Sequence, residues 1–139
     1  MTPDMVSASF SLDERLQADT IFVKDLHLST MLLMNDARYP WIILVPRLNG
    51  LREMHDLSEN ERHVLMNESC EVSEFMLQHF DVEKMNVGAL GNIVSQLHLH
   101  HVGRNSSDPA WPGPVWGHSP ALPYEDEELS NRLNILKLM

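Results

Sequence analysis

The sequence predicts an α+β fold in which a five-stranded antiparallel sheet carries one long helix and a C-terminal helix. Three strand-sized apolar segments, residues 20–26, 29–35 and 41–47, follow one another with only short polar or Pro-containing links, as expected for an antiparallel meander. A longer segment with a helical apolar pattern comes next, and two further strand-like segments, 84–90 and 96–104, follow it. This order of elements predicts five strands packed on one long helix.

The segment 58–80 is the clearest helix in the sequence. It opens with a capping box formed by Ser58 and by Glu61 three residues later. Its apolar residues recur at approximately helical spacing and make one stripe, which comprises Val64, Leu65, Cys70, Val72, Phe75, Met76 and Phe80. A shorter helix is predicted within 11–20, with Ser11 as its cap and Glu14 three residues later.

The C-terminal part is predicted to be an ordered, extended segment followed by a closing helix. Residues 108–124 hold five of the eight prolines and two of the three tryptophans, and aromatic anchors argue against disorder. Residues 124–139 carry acids first and lysine late, which is the polarity that a helix dipole favours. Three leucines lie on one side of this helix, at positions Leu129, Leu133 and Leu136.

Length and composition favour one domain in a reducing cytoplasm. We expect a single domain over 1–139, with its core at about 10–118 and the Pro/Trp segment and closing helix at 105–139. The lone Cys70 cannot form an intramolecular disulfide, and the N-terminal residues lack a signal-peptide pattern. No apolar run approaches the roughly 20 residues that span a bilayer. The formal net charge of −10 excludes nucleic acid as a partner, whereas a small phosphorylated ligand needs only a few local donors.

Three of the eight histidines fall within four positions of the segment SQLHLHHVGR, residues 95–104. As a strand, this segment places Gln96, His98 and His100 on one face and His101 on the other, where we expect it to pack. The residue types allow three interpretations. His98 and His100 can bind a metal such as zinc together with a third protein ligand, or they can perform nucleophilic or acid/base chemistry at phosphorus. In the third interpretation, the histidines are structural strand residues with satisfied hydrogen bonds.

Three segments and the order of the elements resemble the histidine triad family of nucleotide hydrolases and transferases. The segments read NDARYPWIILVPR, ALGNIVSQLHLHH and AWPGPVWG. The family motif is His-φ-His-φ-His-φ-φ, where φ is apolar, and here it reads Gln96-Leu97-His98-Leu99-His100-His101-Val102, so that two of three histidines match. The resemblance covers about 10–118 and looks closest to the bacterial branch related to diadenosine polyphosphate hydrolases.

The resemblance implies hydrolysis or transfer at the α-phosphate of a nucleotide or dinucleoside polyphosphate, by an enzyme similar to the diadenosine polyphosphate hydrolases or to the nucleoside phosphoramidases. His98, the middle motif residue, would attack phosphorus and form a nucleotidyl-histidine intermediate that water releases, while His100 would contact the leaving group or phosphate oxygens. Gln96 replaces the first histidine and cannot titrate. The covalent step requires no cofactor or bound metal, although a divalent ion can accompany the nucleotide. The family's usual homodimer is also implied.

Other site residues follow from the resemblance by position. Asn35 or Asp36 is similar to the ribose-hydroxyl contact, and Asn86 and Asn92 are similar to the polar residues that line the phosphate path. Arg104 offers a guanidinium to phosphate oxygens.

The three tryptophans also correspond to positions of the family that the sequence resembles. Trp41 stands where many members carry another histidine. Trp111 and Trp116 resemble a C-terminal aromatic region that either closes over the site or anchors the Pro-rich segment on the sheet. Two alternatives remain open: a nucleotide-binding protein that has lost turnover, and a metalloprotein with histidine ligands.

Overall fold

The computed structural model describes residues 5–139 and has the predicted α+β architecture. The five strands are β1 (Thr20–Asp25), β2 (Ser29–Met34), β3 (Trp41–Pro46), β4 (Lys84–Gly88) and β5 (Leu99–Arg104). The three α-helices are α1 (Glu14–Asp19), α2 (Glu59–His79) and α3 (Asp126–Leu136), and a single 3-10 turn spans Met54–Asp56. The long helix, the C-terminal helix and the five strands are therefore confirmed.

The strands form one sheet in the order β1-β2-β3-β5-β4, and all neighbours are antiparallel. β1, β2 and β3 make the predicted meander. β5 inserts between β3 and β4, and its register places His100 opposite Ile43 and His101 opposite Ile42. β5 begins only at Leu99, so the predicted strand 96–104 is three residues too long at its start.

Side-chain alternation along β3 divides the core between the two faces of the sheet. Ile42 and Leu44 face a cluster that includes the apolar side of α2 and Leu136 of α3. Trp41, Ile43 and Val45 face a second cluster, to which α1 contributes Leu16 and the Pro/Trp segment contributes Ala110 and Val115. The period-2 pattern of a strand that is buried on both faces explains this division. His98 and His100 belong to the second face.

Helix α2 begins at the predicted capping box, with Ser58 and Glu61 each accepting the other's backbone N–H. The prediction that Cys70 belongs to the buried apolar stripe is wrong, because Cys70 is exposed. Glu68 is buried instead, and its carboxylate accepts the backbone N–H groups of Leu28 and Ser29 at 2.9 and 3.2 Å. The carboxylate replaces an apolar contact because it satisfies two buried donors at the β1–β2 turn.

Helix α1 is shorter than predicted and has a different cap. Asp13, not Ser11, precedes the helix, and its side chain accepts the backbone N–H of Arg15 at 2.8 Å. An aspartate is as good a cap as a serine, so the local sequence offered two starts. Among residues 5–139, no helix combines the length and the apolar character that crossing a bilayer requires.

The segment after β5 folds into consecutive turns rather than an extended chain. The buried carboxylate of Asp108 accepts the backbone N–H groups of Asn105, Ala110 and Trp111 at 2.8–3.2 Å. Each of these bonds closes a turn, which the proline spacing does not reveal. The turns bring Val115 and Trp116 back over the face of the sheet that carries His98 and His100.

Candidate active site

His98, the residue before β5, lies beside His100, the second residue of β5. Their ring centroids are 4.9 Å apart with an edge-to-face angle of 67°. Both side chains are buried, at 7 % and 8 % exposure. The structure therefore brings together the two histidines that match the motif.

The backbone fixes the tautomer of His98. Its Nδ1 lies 2.7 Å from the backbone carbonyl oxygen of Gln96. A carbonyl can only accept, so Nδ1 carries the hydrogen and donates it. In the neutral ring, Nε2 then keeps its lone pair, which is the form of imidazole that can attack phosphorus.

Trp41 fixes the opposite tautomer at His100. The indole Nε1–H donates to Nδ1 of His100 at 3.0 Å. An indole nitrogen is a donor only, so Nδ1 of His100 holds a lone pair and the hydrogen of the neutral ring sits on Nε2. Burial, followed by the nearby His98 and His101, lowers the pKa of His100 to about 3. His100 is therefore a neutral hydrogen-bond donor at physiological pH.

A cavity of about 390 Å³ opens in front of the two histidines. Its size lies in the ordinary range of small-ligand sites. One part of its wall is apolar and is formed by Leu16, Met34, Ile43, Leu90, Ile93, Val94 and Val115. Its polar part is formed by Arg15, Asp19, Asp36, Arg38, Asn92 and Ser119 together with the histidines. The arrangement suits a ligand with a flat apolar portion and an anionic portion.

Asp36 and Arg38 form a pair in the cavity wall. Asp36 is 1 % exposed, and its carboxylate accepts the Arg38 backbone N–H, Nε and Nη2 at 3.1, 3.0 and 2.8 Å. The hydrogen bonds that Arg38 donates to the Asp36 carboxylate raise the pKa of Arg38, which stays charged. Oδ2 of Asp36 accepts one of these bonds and retains capacity for another. Sequence reasoning assigned no role to Arg38 or Arg15, since isolated arginines outside a motif carry no spacing signal.

Asn92 lines the cavity and is exposed, on the loop that precedes β5. Gly91 beside it has φ of +75°, a left-handed conformation that glycine adopts without strain. Of the predicted phosphate-path residues, Asn92 is therefore at the site.

Gln96 does not line this cavity. Its Oε1 accepts the backbone N–H of Asp13 and its Nε2 donates to the carbonyl of Ser11, both at 2.9 Å. The predicted placement of Gln96 on the face of His98 and His100 is wrong, because β5 starts at Leu99 and strand alternation does not extend back to residue 96. The amide holds the segment before α1 instead.

Three further predicted residues also lie outside the cavity. Asn35 accepts the backbone N–H of Tyr124 at 3.0 Å and so holds the C-terminal segment. Arg104 is 2 % exposed, and Asp108, Asn86 and the carbonyl of Gly113 accept its hydrogen bonds at 2.7–3.0 Å. A guanidinium so fully bonded and buried is structural. Asn86 and Arg104 thus stabilise each other rather than a bound phosphate.

The aromatic residues divide between the two roles that the sequence left open. Trp116 lines the cavity, with its ring centroid 5.5 Å from that of His100. Trp111 is 38 % exposed. The guanidinium carbon of Arg104 lies over its ring, 5.8 Å from the centroid of Trp111. Trp116 therefore belongs to the site, and Trp111 belongs to the turns that follow β5.

His101 packs beneath helix α2, on the opposite face of the sheet. It is fully buried, and its Nε2 is 2.7 Å from the hydroxyl of Ser69. Burial lowers the pKa of His101 to about 4. Its position agrees with the predicted packing role.

Across residues 5–139, no three His, Cys, Asp or Glu side chains converge to hold a metal ion. His98 and His100 also use one nitrogen each in bonds to Gln96 and Trp41. A zinc site at this pair needs a further protein ligand, which the described residues do not bring to it.

Comparison with known proteins gives a consistent result. Residues 15–107 match the family model described as the HIT domain. A histidine triad protein from Marinobacter aquaeolei VT8 is 49 % identical and has a TM-score of 0.91, with 93 % of this chain and 94 % of that chain covered. A search of curated proteins gave no match.

Two rhizobial structures are similar to nearly the same degree. A histidine triad (HIT) protein from Sinorhizobium meliloti 1021 is 43 % identical, with a TM-score of 0.90 and coverage of 92 % of this chain and 95 % of that chain. A histidine triad protein from Bradyrhizobium japonicum is 42 % identical, with a TM-score of 0.90 and coverage of 93 % and 96 %.

Proposed function

Because the chain belongs to the HIT domain family, we propose that it hydrolyses or transfers the nucleotidyl group of a nucleotide or dinucleoside polyphosphate by attack of His98 on the α-phosphorus. The family generally includes nucleotide hydrolases, and its members bind nucleotides. The observation that carries the proposal is the bond from His98 Nδ1–H to the Gln96 carbonyl, which leaves Nε2 as the nucleophilic nitrogen.

The same bond supports the intermediate. When Nε2 of His98 bonds to phosphorus, the imidazole becomes cationic and its Nδ1–H becomes a stronger donor to the carbonyl of Gln96. This hydrogen bond is therefore stronger when His98 is cationic, as the N–P bond forms, than in the resting enzyme. An interaction that strengthens in this way lowers the barrier to the reaction. Water then attacks phosphorus, the N–P bond breaks, and neutral His98 is restored.

The cavity wall suggests how the nucleotide lies. The apolar side chains suit the base, and the free lone pair of Asp36 Oδ2 suits a ribose hydroxyl. Arg15 and Asn92 offer donors to phosphate oxygens, and Nε2–H of His100 offers another beside the α-phosphorus. Arg38 keeps one N–H on Nη1 for a phosphate oxygen, since its other side-chain N–H groups are bonded to Asp36, Ser119 and the carbonyl of Pro120. The relation to diadenosine polyphosphate hydrolases, a homodimeric assembly and a cytoplasmic location belong to this proposal as expectations. So does catalysis without a bound cofactor.

A non-catalytic nucleotide-binding protein is the second candidate. The observation in its favour is Gln96, which cannot titrate and whose amide is bonded to Ser11 and Asp13 away from the cavity.

One experiment separates the two candidates. Product formation from diadenosine tetraphosphate is measured for the native protein and for His98→Asn, with and without chelator, and nucleotide binding is measured by calorimetry in parallel. The exposed His63 on α2 provides the matched control variant, His63→Asn. Turnover that persists in His63→Asn and vanishes in His98→Asn supports the enzyme, whereas tight binding with no product in the native protein supports the binding module.

A further inference from the structure

The contacts of His100 limit what it can do in such a reaction. Its Nδ1 accepts from the Trp41 indole at 3.0 Å, so a proton added to Nδ1 would face the Trp41 N–H and leave that buried donor without an acceptor. The rings of Trp41 and Trp116 approach that of His100 at centroid distances of 5.7 and 5.5 Å and keep water away from it. His100 can donate a hydrogen bond through Nε2–H, but it does not hold a second proton to give away.

The other titratable groups of the cavity do not replace it as a proton donor. Among the described residues that line the cavity, and apart from His98 as the nucleophile, these are Arg15, Arg38, Asp19 and Asp36. An arginine does not release its proton near neutral pH. Asp36 is ion-paired with Arg38 at 2.8 Å, and a paired carboxylate is an acceptor. Asp19 is exposed at the end of α1, where bulk water solvates it.

Gln96 and His118 precede or follow lining residues in the sequence, and both are also excluded as proton donors. Gln96, at the first motif position, is bonded to Ser11 and Asp13 and cannot titrate. His118 follows the lining residue Gly117 but is exposed, does not line the cavity and bonds through Nδ1 to the hydroxyl of Ser119 at 2.9 Å.

We propose that Trp41, by holding His100 as a neutral Nε2–H donor, restricts this site to nucleotide substrates whose leaving group departs as an anion, such as phosphoanhydrides. This inference rests on the proposed nucleotidyl transfer through His98 and adds the leaving-group class to it. Trp41 is a positioning residue, since it acts through His100.

The chemistry of the step balances without a proton donor. Nε2 of His98 forms a bond to the α-phosphorus as the bond from phosphorus to the bridging oxygen breaks, and that oxygen leaves with the electron pair as a nucleotide or phosphate anion. Hydrolysis of the intermediate then breaks the N–P bond, and the proton lost by water passes to solvent. A phosphoramidate is different, because its amine must gain a proton in order to leave, and none of the described side chains that line the cavity in front of His98 and His100 supplies one.

Two aryl esters of adenosine 5′-monophosphate test the inference directly. The 4-nitrophenyl and phenyl esters share the adenylyl group and differ in how readily the phenolate leaves as an anion. General acid catalysis contributes about 10²–10⁴-fold where it operates. Without it, we expect kcat/KM to fall at least about 100-fold from the nitrophenyl to the phenyl ester, and an N-alkyl phosphoramidate to be turned over more slowly still. Values for the two esters within about fivefold of each other, with robust turnover, would overturn the inference and leave the proposed function intact.

Trp41→Phe supplies the second arm, because it keeps an aromatic ring against His100 and removes only the N–H donor. Burial keeps His100 neutral in this variant as well, but its tautomer is no longer fixed. We expect ¹⁵N chemical shifts of the variant to show a mixture of the Nδ1–H and Nε2–H tautomers of His100, and kcat/KM to fall about tenfold or more with both esters, because part of the population no longer presents an N–H to the phosphate oxygens. Retention of the pure Nε2–H tautomer in Trp41→Phe would overturn the positioning role of Trp41.

A measurement independent of turnover completes the test. In the native protein, ¹⁵N chemical shifts should show that His100 keeps its lone pair on Nδ1 and its hydrogen on Nε2 from pH 8 to pH 5. Protonation of His100 within that range would overturn the inference. Absence of nucleotidyl transfer from every substrate would instead overturn the proposed function, and the inference with it.

Discussion

The side-chain amide of Gln96 donates to the carbonyl of Ser11 and accepts the backbone N–H of Asp13, both at 2.9 Å. Gln96 occupies the first position of the histidine motif, yet both ends of its amide are bonded to the segment that leads into α1. The side chain at this motif position thus links the segment before α1 to the loop before β5.

Gln96→Ala should therefore affect stability more than chemistry. The loss of two partly exposed hydrogen bonds should lower the free energy of unfolding by about 1–2 kcal/mol, while kcat should change less than about threefold. Urea denaturation and steady-state kinetics measure the two effects. A hundredfold loss of kcat with unchanged stability would show that Gln96 acts in the chemistry.

Asp36 should determine the preference for ribose over deoxyribose. Asp36→Asn has nearly the same shape, but it removes the charge that holds Arg38 and weakens the acceptor for a ribose hydroxyl. We expect the native protein to favour a ribonucleotide over its 2′,3′-dideoxy analogue by about tenfold or more in kcat/KM, and Asp36→Asn to lose most of this preference. Equal discrimination in both proteins would place the ribose elsewhere.

The two arginine–aspartate pairs, Arg38 with Asp36 and Arg104 with Asp108, should respond differently to substitution. Arg38 lines the cavity, so Arg38→Lys should raise KM for a dinucleoside polyphosphate by about tenfold, as expected from the loss of a charge-assisted hydrogen bond. Arg104→Ala leaves the buried Asp108 without its partner and should cost about 3–5 kcal/mol of stability.

Thermal denaturation and steady-state kinetics of the two variants test this contrast. Arg104→Lys, which keeps the charge, serves as the milder version of the second substitution. A raised KM in Arg104→Lys with unchanged stability would indicate that Arg104 contacts the phosphates of the substrate.

Buried His101 should make stability depend on pH. Its pKa is lowered in the folded state to about 4 from an ordinary value near 6.5, so between these values the unfolded chain binds a proton that the folded chain does not. Stability is therefore complete above about pH 6.5 and falls as the pH drops towards 4, by a contribution on the order of 3 kcal/mol.

His101→Gln removes the titrating ring and keeps a polar group near the hydroxyl of Ser69. We expect this variant to have a smaller slope of unfolding free energy against pH in the window from 6.5 to 4, measured by denaturant titration at each pH. His100 has the same sign of shift and will preserve part of the slope in the variant. A slope equal to that of the native protein would assign the pH dependence to other groups.

The sequence predicted the framework because periodicity reflects burial. The three apolar segments predicted the meander of β1, β2 and β3, and the capping box at Ser58 predicted the start of α2. The shared face of His98 and His100 was predicted from strand alternation, and the structure brings these two residues together.

What could not be predicted depends on where strands end and on contacts across them. The position of the Gln96 side chain depends on where β5 begins, which is at Leu99, and no local signal in the sequence marks that boundary. The bond from Trp41 to His100 depends on the register between β3 and β5. Arg104 and Arg38 look alike in sequence, yet the turns around Asp108 bury one and the cavity exposes the other.

The proposed reaction requires that His98 becomes covalently nucleotidylated. The most direct test is to mix the native protein with a dinucleoside polyphosphate, quench in alkaline denaturant within the first turnover, and map adducts by peptide mass spectrometry. We expect one nucleotidyl group on His98, which disappears as product forms and is absent from His98→Asn. Product formation at the full rate with no adduct on His98, or with turnover retained in His98→Asn, would contradict covalent catalysis by His98.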